Sequence, residues 1–158
     1  LQGSEVLTLL SESPGRAVEA VGWVGRVTPA YCTSAGQALL LDHDREALEL
    51  VFAGADLAQR ARNTPTDLDT LDERLAAGRE AGAVLVSEEF ESGLVAAAAP
   101  VRDATGTIVG AFNVSAPTFR VEGHEADLLA AVREAAADLS AAITAGAMDP
   151  GDAPVSVD

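Results

Sequence analysis

Cysteine, cations and long apolar runs are all scarce in this chain, and each shortage removes a class of explanation. One cysteine, Cys32, cannot close an internal disulfide, so the cross-linked frameworks of small secreted domains are excluded and a reducing cytoplasm suits the chain. No apolar stretch approaches the roughly 18 residues a spanning helix needs, and no charged segment followed by an apolar one marks a secretory leader. A membrane partner is therefore not expected. Ten basic residues stand against 25 acidic ones, for a net charge of −15. A surface that acidic repels phosphate, so the chain alone is a poor binder of nucleic acid. His43, His124 and Cys32 fall in no metal-binding spacing, and neither metal nor cofactor is expected. What remains is ample apolar material: 158 residues at 48% hydrophobic are enough for one domain with a sizeable core.

Along the chain, residues 1–10 and 17–24 read as two strands of a hairpin, divided by the turn-rich Ser11-Glu12-Ser13-Pro14-Gly15. Short helices follow at 37–41 and 45–52, the second capped by Asp42 or Asp44. After a loop at 53–66, Thr66 or Asp67 opens a helix with Leu68, Leu71 and Leu75 at helical spacing and Gly82 as its stop. Three strands then fill 83–116, the last two joined by an Asp103-Ala-Thr-Gly106 turn. A final helix spans 122–145 on a stripe of Leu128, Leu129, Val132, Ala136, Leu139 and Ile143. Residues 147–158 lack periodicity and read as a disordered tail. Strand pairs separated by helices predict an α+β class built on an antiparallel sheet.

The stretch from Val84 to Pro117 carries the functional signal. On its closing strand, alternation sends Ile108, Phe112 and Val114 to one face and Val109, Ala111, Asn113 and Ser115 to the other. The neighbouring strand, Leu94 to Ala99, is almost all small side chains. Small residues beside two hydrogen-bonding groups suit a small-molecule pocket; equally, alanines let a helix pack close while Asn113 and Ser115 are satisfied locally. Glu88, Glu89 and Glu91 form an acidic cluster at a strand end, read as a solvated edge that discourages misassociation. Asn113-Val114-Ser115 matches a glycosylation sequon, which is accidental in a strand without a secretory leader.

Taken in order, Gly36-Gln37-Ala38-Leu39-Leu40, Asn63-Thr64-Pro65-Thr66-Asp67, Val86 to Gly93, Ala98 to Asp103, Gly106 and Val114-Ser115-Ala116-Pro117 resemble the effector-binding domain of IclR-type bacterial transcription regulators. The resemblance covers residues 7–143. It implies a GAF-like or profilin-like sheet with helices on one face and a ligand pocket on the other, forming a domain over 1–146. It also implies a winged helix-turn-helix DNA-binding domain upstream, a truncated sensor start, and a homodimer or tetramer.

The same resemblance places the effector between the sheet and the loop Thr33, Ser34, Ala35 and Gly36, whose backbone N–H groups suit a carboxylate. Relatives that bind small keto acids carry a polar group where this chain has Val86, a cysteine where it has Ala96, and serines where it has Asn113 and Ser115. Two polar positions have thus become apolar. A roomier, greasier pocket follows, suited to an aromatic or longer aliphatic carboxylate, with Leu10, Trp23, Tyr31 and Leu94 as candidate walls. Catalysis is not expected. Two other functions stay open from the residues alone: a GAF-like module of another signalling protein, and a small hydrolase using Cys32 with His43 or His124.

Overall fold

A computed structural model describes residues 1–12 and 23–146. Two antiparallel sheets are present among them: a two-stranded one, β1 (Glu5–Leu7) with β2 (Val27–Pro29), and a three-stranded one in the order β3 (Val84–Ser87), β4 (Leu94–Arg102), β5 (Ile108–Pro117). The expected first strand is thus only three residues long. Its partner lies just beyond the expected 17–24, of which residues 17–22 fall outside the described residues, as does the expected tail.

The helices expected at 45–52 and from Thr66 or Asp67 carry the expected caps, whereas the helix expected at 37–41 begins at Ser34. Thr33 caps α1 (Ser34–Leu39), Asp44 caps α2 (Arg45–Val51) by accepting from the Ala47 N–H at 2.9 Å, and Asp67 caps α3 (Leu68–Ala81) by accepting from Thr70 at 2.7 Å. Gly82 ends α3 at φ 68°, a left-handed residue that costs glycine nothing. Gly123, at φ 80°, separates a short α4 (Thr118–Val121), which was not expected, from α5 (Glu125–Thr144), so the last helix begins at Glu125 and not at the expected 122.

The three-stranded sheet is covered on both faces. Ala83, Ala97, Ala99 and Val101 face α5, meeting Val132 and Ala136 with Leu85 and Phe112 alongside. Val84 and Ala98 face the other way, into a larger core with Tyr31, Cys32, Ala38, Leu40, Leu48, Leu71 and Leu75. Burial of each of those leucines contributes about 1.5–3 kcal/mol. The α+β class is as expected, whereas the placement of every helix on one face is not, because α1 lies on the opposite face from α5.

One register shift changes a face. Val101 pairs with Gly110 but Arg102 pairs with Ile108, so Val109 is an extra residue on β5. A bulge of one residue reverses every side chain beyond it. Ile108 accordingly packs into the α1-side core with Ala111, and not with Phe112 as strict alternation predicts.

Candidate functional site

Register brings five of the sequence-predicted residues onto the α1 face. Val86 pairs with Ala96 and Ala96 with Ser115, making one row across three strands; Ala98 pairs with Asn113 in the next row, and Leu94 lies on the same face of β4. Val86 and Ala96 are buried at 4% and 8% exposure, while Asn113 and Ser115 are exposed. Among the described residues the two polar groups therefore stand at the open side of the sheet, on β5, with buried apolar neighbours inward.

The loop into α1 borders this face. Thr33 donates its hydroxyl to Pro29 O at 2.7 Å and accepts from Gly36 N–H at 3.3 Å. Gly36 is required there by close approach, because an added Cβ would lie 2.3 Å from the Ala30 backbone. Ser34 is buried and Ala35 is half-buried against the core. Tyr31 is buried and donates to Ala58 O at 2.6 Å.

Trp23 is half-buried, 6.4 Å from the Phe90 ring centroid. Phe90 packs against the core that holds Tyr31, Val84 and Ala98, which connects Trp23 to the site. Leu10 is 77% exposed and belongs to neither core cluster.

Sequence reasoning missed the group that anchors the loop. Glu89 is not a solvated edge residue: it is 2% exposed, pairs with Arg74, and accepts from Gln37 Nε2 at 2.7 Å. Gln37 also donates to Tyr31 O at 3.0 Å, Arg74 donates to Asn63 O at 2.8 Å, and the Thr64 hydroxyl donates to Glu89 O. A buried carboxylate is tolerated only when paired and hydrogen-bonded. Here those bonds tie α1, α3 and the turn after β3 together.

Partners 52 and 15 positions from Glu89 leave no local spacing signal. The remaining acids of the cluster differ from it: Glu88 is half-buried against Arg62, and Glu91 is exposed.

The far end of α1 is held separately. Arg102 grips Asp42 bidentately at 2.6 and 2.8 Å, and Arg79 donates to the carbonyls of Leu41 and His43. That arginine holds the Asp42 carboxyl below the usual carboxylate range.

Burial pushes the Cys32 thiol up to about 11, so it is protonated at neutral pH. His43 and His124 take no part in the site: His43 Nδ1 has no hydrogen-bond partner, and His124 faces Asp127 at 3.3 Å. Among the described residues no group of three or more His, Cys, Asp or Glu could hold a metal ion, and no helix is long and apolar enough to cross a membrane.

Residues 1–141 match the family described as bacterial transcriptional regulator IclR C-terminal. The Pca regulon regulatory protein of Pseudomonas putida is 35% identical over 141 residues, 85% of this chain and 48% of that protein. The chain thus spans about half the length of the curated relatives it matches.

Two solved structures are similar along most of the fold. An IclR homolog from Microbacterium hydrocarbonoxydans, complexed with 4-hydroxybenzoate, has a TM-score of 0.79 at 27% identity, covering 92% of this chain and 58% of that one. A double mutant of the PobR inducer binding domain from Acinetobacter, in complex with 3-hydroxybenzoic acid, has a TM-score of 0.78 at 31% identity, covering 89% and 83%.

Proposed function

The chain belongs to the IclR family of bacterial transcriptional regulators, matching its C-terminal domain, and from that premise we propose that it senses an aromatic carboxylate on the α1 face of its three-stranded sheet. The observation that carries this reading is the row Val86, Ala96, Ser115, two buried apolar positions leading to an exposed hydroxyl on β5. Apolar Val86 and Ala96 offer a ring a surface it can cover, and they offer a two- or three-carbon keto acid few polar partners. A longer aliphatic acid is the second occupant that such a surface accepts. Two similar structures hold hydroxybenzoates, which supports the aromatic choice.

In this reading Asn113 and Ser115 take the ring's polar substituents, and Leu94 and Tyr31 border the ligand. The Thr33 to Gly36 turn closes one side. The ligand acts by favouring one of two arrangements of a homodimer or tetramer, since equal affinity for both shifts nothing. DNA binding belongs to a winged helix-turn-helix domain outside these residues, which fits a chain of net charge −15. The whole regulator works in the cytoplasm. Sensing here is binding without catalysis: a thiol raised to about 11 is a poor nucleophile, which counts against the Cys32 hydrolase.

Thermal shift against glyoxylate, pyruvate, benzoate and the hydroxybenzoates tests this. Stabilisation by the aromatic acids is expected. Stabilisation by glyoxylate or pyruvate alone would overturn it.

A further inference from the structure

Resting on the effector site just described, we propose that the Arg60 guanidinium anchors the ligand's carboxylate and that Phe90 and Trp23 form the aromatic wall against which its ring lies. Arg60 Cζ sits 5.7 Å from the Phe90 ring centroid, and the Trp23 ring is 6.4 Å beyond at 57°. Arg26 lies 5.3 Å from the Trp23 centroid, so two cations flank two rings. Among the described residues, Arg45, Arg62, Arg74, Arg79 and Arg102 each pair with a carboxylate, while Arg26, Arg60, Arg120 and Arg133 pair with none. Of these four, Arg26, Arg60 and Arg120 lie over rings, and the ring under Arg120, Phe119, is 73% exposed and belongs to neither core. In a chain with 25 acidic residues, an arginine set on a ring and not on an acid is equipped to receive an anion from outside.

Position separates Arg60 from Arg26. Arg60 neighbours the loop into α1, where its charge acts on both the Tyr31 hydroxyl and the Cys32 thiol. Its segment is pinned on both sides. Tyr31 bonds to Ala58 O at 2.6 Å, and the Arg60 N–H donates to Thr64 Oγ1 at 3.0 Å, whose hydroxyl in turn reaches Glu89 O. A guanidinium whose backbone is already fixed gives up less entropy on binding.

The geometry selects a ligand class. A benzoate places carboxylate and ring in one plane, so the guanidinium can take the acid bidentately while the ring meets Phe90 and Trp23. A small keto acid engages the cation and leaves the wall uncovered.

The chain's single tryptophan, Trp23, reports binding directly. The test is a fluorescence titration of the whole chain with 4-hydroxybenzoate, 3-hydroxybenzoate and the neutral 4-hydroxybenzamide. Wild type is expected to bind an acid with a change in Trp23 emission. Arg60→Gln should weaken acid binding about 10- to 100-fold, the worth of a charged hydrogen bond. Arg60→Lys should restore part of the affinity, and amide binding should stay the same in all three proteins. Because the Arg60 backbone bond to Thr64 does not involve its side chain, the melting temperature of Arg60→Gln should fall by only the few degrees that losing its contact with Phe90 costs.

Acid binding by Arg60→Gln within about threefold of wild type overturns the anchor and leaves the effector reading standing. Binding without an emission change overturns the aromatic wall. Failure of wild type to bind either acid overturns both the anchor and the aromatic-acid reading.

Discussion

The two faces of the three-stranded sheet are built from alternate residues of the same strands, yet they solve different problems. Toward α5 the contacts are Ala97, Ala99, Val101, Val132 and Ala136, all apolar, with Ala97 and Val132 at 0% exposure. Toward α1 the core is interrupted by a buried carboxylate and amide, Glu89 and Gln37, and the sheet is open at Asn113 and Ser115. A dry, close-packed face gains stability from contact alone. The polar face gives up some of that in exchange for fixed positions, since a fully satisfied buried network specifies one arrangement of the loop into α1. In the proposed reading, neighbouring residues of β4 divide between stability and recognition by parity.

The largest effect that can break this comparison lies in the polar anchor. Arg74→Met leaves Glu89 buried with only Gln37 to face it, and should destabilise by about 3–5 kcal/mol in urea unfolding. A loss under about 1 kcal/mol would show that the network carries little. Next comes the α5 face, where Val132→Ala should cost about 2 kcal/mol and leave effector affinity unchanged. Gly36→Ala should cost about 1–3 kcal/mol, because the added methyl meets the Ala30 backbone, and it should also weaken effector binding through the displaced loop.

The smallest effect concerns Asp42. Its folded pKa is depressed by Arg102, so the pair stabilises the chain above the unfolded value near pH 4, and the contribution is lost as pH falls through the folded value. Both side chains are partly exposed, so Arg102→Met should remove only about 1 kcal/mol or less at pH 7 and less than that at pH 2. Urea midpoints at the two pH values measure this.

How much of this was legible depended on how local the signal was. Asp44, Asp67 and Gly82 mark their helix ends because a cap acts within a turn of itself. The Asp103 to Gly106 turn followed from composition and the shared face of Asn113 and Ser115 from alternation, whereas Val86 and Ala96 came only from the family resemblance.

Three features had no local signal. Val109 looks like any strand residue, and only its unpaired place opposite Val101 and Arg102 moves Ile108 across the sheet. Glu89 differs from Glu91 only by partners brought from α1 and α3. Arg60 sits in a loop without periodicity, and its stacking on Phe90 depends on the fold bringing residues 30 apart together.

The central claim, that one face binds and the other holds the fold, is tested most directly by a calorimetric titration of two adjacent variants with 4-hydroxybenzoate or 3-hydroxybenzoate, whichever binds wild type. Ala96→Leu extends into the recognition face beside Val86 and Ser115, and Ala97→Leu extends into α5. The expected result is at least about a tenfold loss of affinity for Ala96→Leu, measured well below its melting temperature because Ala96 is buried and the larger side chain also costs stability. Ala97→Leu should instead lose about 1–3 kcal/mol of stability and keep wild-type affinity. The reverse assignment, or equal effects of both substitutions on affinity, would contradict it.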